Sequence, residues 1–204
     1  EKPDFRDPKV VIIKNGGVRS AIMCLAVGDH IEFYGKTDNM IDWTYLSSFG
    51  STYGAHGGVW ECPDLLYFKE YNKYVLLVNI NPGSPNGGSS CQYFVGDFDG
   101  VTFTCDDSPE TSKWLDSGKD AYATVTYPID PDSSDEKTEY VAMTWMSNWQ
   151  YAPNLPTKYY RSATSIPRKL SLFKVDNGYF VSNLPIDAIE SIVEETNSFD
   201  PFTV

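Results

Sequence analysis

The 204-residue sequence contains only two histidines, His30 and His56, and four cysteines. No two cysteines have the C-x-x-C spacing of a metal finger, and two histidines are too few for a histidine-rich zinc site. A Ser-His-Asp triad is disfavoured for the same reason. We therefore expect neither a metal nor a cofactor, and a chemistry that depends on other side chains.

Positive charge is also scarce. Lys and Arg total 16 against 28 Asp and Glu, which gives a formal net charge of −12. Such a surface repels phosphate backbones and anionic lipid headgroups, so we expect no nucleic-acid partner and no membrane partner. No apolar run reaches the roughly 18 residues that a spanning helix needs. Aromatic residues make up 15% of the chain, which is typical of a folded core rather than disorder.

The beginning of the chain lacks the features of a natural start. It opens at Glu1, without an initiator Met and without a signal peptide, and a candidate catalytic motif follows within seven residues. The sequence therefore predicts a segment of a longer protein.

Short β-branched or apolar runs, separated by turn dipeptides such as Gly28-Asp29 and Asp99-Gly100, dominate the sequence. No long helical stripe precedes residue 186. We therefore predict an all-β fold. The predicted strands are 10–13, 20–26, 30–35, 65–68, 73–80, 91–98, 101–105, 121–127, 140–146, 169–175 and 179–182.

Acidic residues recur along this pattern. Asp7, Glu61 and Asp120 each open a strand-rich segment, at intervals of roughly 55 to 60 residues with about four strands per interval. Four strands per repeat predict a β-propeller, in which the first strand of each blade lines the central channel. The three acids would then converge at one mouth of that channel. A β-sandwich could hold as many strands but gives no reason for this recurrence.

Two short motifs supply the residues that glycoside hydrolysis requires, namely one ionised and one protonated carboxyl group. In the first motif, Arg6 adjoins Asp7 and would hold that carboxylate ionised. In the second, Glu61 lies between Trp60 and a cysteine, and apolar surroundings favour the protonated form that a general acid needs. Taken alone, each motif is equally compatible with an ordinary surface charge.

Six collinear motifs carry a resemblance that extends over residues 5 to about 185. They are FRDPK (5–9), GGVWECPDL (57–65), QYFVGDFDG (92–100), GKDAYA (118–123), WMSNWQY (145–151) and RSATSIPR (161–168). With these motifs the chain resembles the catalytic domain of glycoside hydrolase family 32, the invertase, inulinase and levanase group. The residues of the second and fifth motifs resemble those of the microbial inulinases and levanases more closely than those of plant invertases.

The resemblance implies a five-bladed β-propeller followed by a β-sandwich. On that basis residues 1–184 form a partial propeller of roughly three blades, without the family's first blade. Residues 185–204 form a linker towards a C-terminal sandwich outside this sequence, and they include a short helix. Three blades cannot close a ring, so either a companion chain or further copies complete it, or the sequence is a truncation of the whole enzyme. Within this frame the Gly- and Ser-rich stretch 81–90 is a long hairpin loop.

The resemblance also implies an activity, the retaining hydrolysis of β-fructofuranosides of the sucrose, inulin or levan type. Glu61 is then the general acid/base and Asp7 the residue that stabilises the transition state. The implied substrate-binding residues are Arg6, Trp60, Asp120, Tyr122, Asn148 and Trp149. The partner would be a fructose-containing oligosaccharide or polysaccharide. Because such polymers are found outside cells, we expect an extracellular or periplasmic protein.

One departure from the family is important. The family's nucleophilic Asp belongs to an Asn-Asp-Pro motif, and no Asn-Asp-Pro occurs in this sequence. The isolated chain is therefore expected to be inactive without that segment. The alternative is a non-catalytic module that binds fructan or serves in assembly.

Overall fold

The computed structural model describes residues 2–15, 18–36, 41–129, 139–176 and 178–197. These residues form three antiparallel sheets in chain order, together with two short 3-10 helices at Ala152–Asn154 and Asp187–Ile192. The predicted all-β fold is therefore confirmed. No helix among the described residues is long and apolar enough to cross a membrane.

The first sheet is a simple meander. It contains β1 (Phe5–Asn15), β2 (Val18–Val27), β3 (His30–Lys36) and β4 (Trp43–Phe49), paired in that order. The strand β4 was not predicted, because its mostly half-exposed or exposed residues show no clear apolar alternation.

The second sheet repeats this plan with an additional short strand. It contains β5 (Val59–Phe68), β6 (Lys73–Asn81), β7 (Ser90–Phe98) and β8 (Phe103–Cys105), and β9 (Lys113–Trp114) pairs with β7. The stretch 81–90 connects β6 to β7, as the predicted hairpin loop requires.

The third sheet contains β10 (Tyr122–Pro128), β11 (Tyr140–Met146), β13 (Arg168–Val175) and β14 (Gly178–Pro185), paired in that order. The short strand β12 (Ala163–Thr164) pairs with β11. The second 3-10 helix follows β14 directly, where the sequence predicted a short helix. The end of the predicted linker, residues 198–204, lies outside the described residues.

The second sheet is buried on both faces because it lies between the other two. Side chains alternate along a strand, so Leu65 of β5 joins a core shared with the first sheet and Leu66 a core shared with the third. On β6, six consecutive residues (75–80) are buried and five of them are apolar, as expected for a strand covered on both faces. Apolar side chains on the first and third sheets are left exposed, among them Val10, Ile12, Val125, Tyr127, Phe173 and Val175.

The same irregularity occurs in the first strand of each sheet. The register shifts between Arg6 and Lys9 in β1, between Glu61 and Asp64 in β5, and between Tyr122 and Val125 in β10. The residue that follows the first of each pair has a left-handed backbone, with φ of 60° at Asp7, 45° at Cys62 and 51° at Ala123. These are β-bulges, which bend a strand and redirect its side chains.

The bulges correct one detail of the predicted repeat. Asp7 and Glu61 lie inside β1 and β5, not before them, whereas Asp120 precedes β10. Asp7 occupies the left-handed position of its bulge, but Cys62 and Ala123 occupy the equivalent positions in the other sheets. The repeating unit is therefore the bulge, and the three acids occupy different positions around it. Pro8 and Pro63 have no backbone N–H, so they fit the unpaired part of a bulge. A proline also argues against a strand when only the sequence is considered, which explains why the starts of β1 and β5 were not predicted.

Candidate active site

The bulges of β1 and β5 present Asp7 and Glu61 side by side although their strands belong to different sheets. Arg6 Nη2 donates to Glu61 Oε1 at 2.8 Å, and the backbone N–H of Cys62 donates to Asp7 Oδ2 at 3.0 Å. Each strand thus supplies a donor to the acid of the other. The side chains of Asp7 and Glu61 remain 31% and 19% exposed, so a solute can reach both.

Electrostatics at this pair are dominated by Arg6. Its hydrogen bond to Asp4 and then its hydrogen bond to Glu61 raise the pKa of the guanidinium, so Arg6 is always cationic here. Burial, followed by the negative charges of Asp7 and Glu61, raises the pKa of the Cys62 thiol to about 12. A neutral thiol is a poor nucleophile, so the candidate reactive groups at this position are the carboxyl groups of Asp7 and Glu61.

Asp120 and Tyr122 lie at the start of the third sheet. The hydroxyl of Tyr151 donates a hydrogen bond to Asp120 Oδ1, and burial together with this bond raises the pKa of Tyr151. Asp120 also lines a cavity of about 110 Å³ between the second and third sheets. Tyr122 is buried against Trp145, and its hydroxyl has no partner among the described residues.

Trp149 follows β11 of the third sheet and is exposed. The residue is 49% exposed, and its ring packs against Trp145 with 4.9 Å between the ring centroids. One face of the indole is therefore supported by protein while the side chain remains open to solvent. An aromatic face held in this way is suited to contact with the apolar face of a sugar ring.

Two of the predicted substrate-binding residues are fully buried. Asn148 Nδ2 donates to the carbonyl groups of Gly87, Ser89 and Lys119, and its Oδ1 accepts from backbone N–H groups. Trp60 Nε1 donates to the carbonyl of Ala55. Both side chains lie behind the surface. Any contribution to substrate binding therefore passes through the segments that they hold.

Sequence reasoning did not single out three residues that support this site. They are Cys62, whose amide binds Asp7, and the buried residues Asp64 and Asn79. For Asp64 a signal existed, because it directly precedes the apolar run from Leu65 to Phe68. A charge at a buried strand position requires a partner.

The arrangement can carry out acid–base chemistry on a polyhydroxylated substrate. Two reachable carboxyl groups with a cationic guanidinium beside them are usual components of a carbohydrate site.

The proteins to which this chain is similar are glycoside hydrolases. Residues 1–183 match the sequence profile described as the glycosyl hydrolases family 32 N-terminal domain. The chain is 42% identical to a levanase from Bacillus subtilis, over all of this chain and 30% of the levanase. It is 38% identical to an extracellular exo-inulinase from Aspergillus niger, over 93% of this chain and 36% of the inulinase.

Solved structures give the same result. The exo-inulinase from Aspergillus awamori superimposes with a TM-score of 0.78 at 36% identity, over 94% of this chain and 38% of the inulinase. A fructofuranosidase from Schwanniomyces occidentalis, solved in complex with fructose, gives a TM-score of 0.73 at 34% identity, over 91% of this chain and 36% of that protein.

The chain belongs to glycosyl hydrolase family 32. Its three sheets are consistent with part of the family's propeller. It spans 30% of the levanase and 36% of the Aspergillus niger inulinase that it matches.

Proposed function

We propose that this chain supplies the acid/base and the fructosyl-binding carboxylate of an enzyme that hydrolyses β-fructofuranosides with retention of configuration. The observation that carries the proposal is the reciprocal bonding between β1 and β5. Arg6 binds Glu61, the Cys62 amide binds Asp7, and both carboxyl groups remain accessible. The names of the relatives, levanase, exo-inulinase and fructofuranosidase, support fructosides as the substrate class.

In the first half of the proposed reaction, Glu61 gives its proton to the glycosidic oxygen as the bond to the anomeric carbon breaks. A carboxylate attacks that carbon from the opposite side and forms a covalent fructosyl intermediate. We assign this nucleophile to no residue of the present chain. Asp7 accepts hydrogen bonds from the fructosyl hydroxyls, and these bonds strengthen as positive charge develops on the ring.

In the second half, Glu61 acts as a base. It removes a proton from water as the water oxygen attacks the anomeric carbon; the bond between that carbon and the nucleophilic carboxylate breaks, which frees the carboxylate and releases fructose. The ion pair between Arg6 and Glu61 suits this half, in which the carboxyl group must be ionised. For the acid half, we expect substrate hydroxyl groups to replace Glu61 as partners of Arg6 Nη2, which frees Glu61 to carry a proton.

The test is Glu61→Gln in the complete gene product that contains these residues, with Glu110→Gln as the matched control because Glu110 is exposed. We expect kcat on inulin, levan and sucrose to fall about 1,000-fold for Glu61→Gln, since a general acid contributes 10²–10⁴-fold. Cleavage of a fructosyl fluoride, whose leaving group needs no proton, should fall much less. Equal activity of the two variants would remove Glu61 from the mechanism.

The alternative function is a module that binds fructan without cleaving it, favoured by the absence of an Asn-Asp-Pro motif in these residues. Calorimetry on the unaltered gene product distinguishes the two functions. Heat of binding to inulin or levan without released fructose would support the module, and released fructose would support the enzyme. We further propose an extracellular or periplasmic location, because relatives include extracellular exo-inulinases.

A further inference from the structure

We propose that Asp64 is a positioning residue that sets the placement of Asp7 relative to Glu61. This inference rests on the proposed function. Asp64 lies three residues after Glu61 on β5 and is almost fully buried. Its Oδ2 forms an ion pair with Lys9 Nζ at 2.9 Å and accepts two hydrogen bonds, from the Thr126 N–H at 3.1 Å and from Thr126 Oγ1 at 2.7 Å.

Each of these three residues lies in the first strand of a different sheet, β1, β5 or β10. Lys9 and Asp64 are the first paired residues after the bulges of β1 and β5, and Thr126 lies one residue beyond the bulge of β10. Lys9 Nζ also donates to the carbonyl of Thr126 at 2.8 Å, so each of the three residues contacts the other two. We call Lys9, Asp64 and Thr126 the inter-sheet junction. It joins all three sheets directly behind the bulges that present the candidate catalytic residues.

The geometry of the site requires such a junction. The strands β1 and β5 belong to different sheets, so no ladder of backbone hydrogen bonds sets the distance between them. Each bulge also interrupts the pairing within its own sheet at the residues that matter. Apart from the single backbone bond from the Trp60 N–H to the Gly28 carbonyl at 2.7 Å, the positions of Asp7 and Glu61 therefore depend on side chains that cross between the sheets. Asn79 supplies a second contact of this kind, between the second and third sheets. Its side chain donates to the Cys62 carbonyl at 3.2 Å and accepts from the Thr124 N–H at 3.1 Å.

The negative charge of Asp64 distinguishes it from Asn79. The other carboxylate oxygen, Oδ1, is buried without a partner among the described residues. The charge is therefore compensated on the Oδ2 side alone, by Lys9 and Thr126. A buried charge tolerates little displacement of its compensating partner, because the attraction has to offset the loss of hydration. The junction thus resists sliding of β1 against β5, the motion that would separate Asp7 from Glu61.

The experiment is Asp64→Asn in the complete gene product, with Asp97→Asn as the matched control. Asp97 lies in the same sheet and pairs with Lys73 at the surface. We expect Asp64→Asn to lower kcat about 10- to 100-fold with KM within about 3-fold, because a misplacement of about 1 Å can cost 100-fold in rate. The control should keep both constants. A residue that acts only on stability would lower the melting temperature and leave kcat of the folded enzyme unchanged.

A double-variant cycle tests whether Asp64 acts through Lys9. Lys9→Met alone should also lower kcat, but adding it to the Asp64→Asn protein should change kcat by less than about 3-fold, because the pair is already broken. Full additivity of the two effects would overturn the proposed path.

Thr126→Val keeps the test decisive if Asp64→Asn does not fold. It removes one hydroxyl donor, retains the ion pair, and should lower kcat about 3- to 10-fold at unchanged KM. The inference is overturned if the folded junction variants match Asp97→Asn in kcat while Glu61→Gln is inactive. If Glu61→Gln itself keeps wild-type activity, the proposed function has failed instead.

Discussion

Gly88 and Asn148 fit together so closely that a Cβ atom on Gly88 would collide with Oδ1 of Asn148. Gly88 belongs to the 81–90 hairpin loop of the second sheet, and Asn148 follows β11 in the third. The amide of Asn148 binds carbonyl groups of this loop and the carbonyl of Lys119. A segment with the composition of a flexible linker is thus docked against the neighbouring sheet, beside Trp149.

The first prediction follows from this contact. Gly88→Ala should lower the free energy of unfolding of the complete gene product by about 3 kcal/mol, since it combines a collision with a left-handed backbone, φ +73°. Gly100→Ala is the matched control, because Gly100 has φ +97° but no atom near its missing Cβ. The control should cost only about 1 kcal/mol. Urea unfolding measures both, and equal costs would show that the loop is not held by Asn148.

Trp149 gives a prediction about substrate binding. Trp149→Ala should raise KM for fructo-oligosaccharides about 5-fold and leave kcat nearly unchanged, because a lost ring contact of about 1 kcal/mol weakens binding by that factor. Tyr159→Ala is the control, since Tyr159 is 94% exposed and lies outside the pair of Trp145 and Trp149. Steady-state kinetics on both variants provide the measurement. A similar KM in the two variants would contradict a stacking role for Trp149.

Glu32 in the first sheet gives a prediction about pH. Burial alone would raise the pKa of this carboxyl group, but hydrogen bonds from Lys2 and Tyr34 hold it below the ordinary value of 4.5. A lowered pKa means that the ionised group stabilises the fold above about pH 4.5 and that this contribution is lost as the pH falls through the folded-state pKa. Glu32→Gln should therefore be less stable than the wild type by about 2 kcal/mol at pH 7.

The stability difference between the wild type and Glu32→Gln should shrink as the pH falls below 4.5. Thermal unfolding at a series of pH values measures this difference, with Glu110→Gln as the exposed control. A difference independent of pH would mean that the ionised form of Glu32 is not the stabilising one.

Much of the fold can be predicted from the sequence because buried strands require apolar residues at neighbouring or alternate positions of the chain. Short β-branched or apolar runs indicated most of the strands, and the apolar run 75–78 in β6 corresponds to a strand covered on both faces. The motifs around Asp7 and Glu61 identified the candidate acids. The strand β4 was missed because its side chains are mostly half-exposed and no periodic pattern results.

Only the tertiary structure decided which residues meet. In sequence Asp7, Glu61 and Asp120 are comparable acids, yet Arg6 and the Cys62 amide join the first two, whereas Asp120 binds Tyr151. Asn148, which the family resemblance implied to bind substrate, is buried and holds a loop, and Asp64 forms the junction of three sheets. These outcomes depend on the placement of one sheet against the next and on the bulges that redirect single side chains. Both are long-range or one-residue effects, and neither leaves a periodic signal in the sequence.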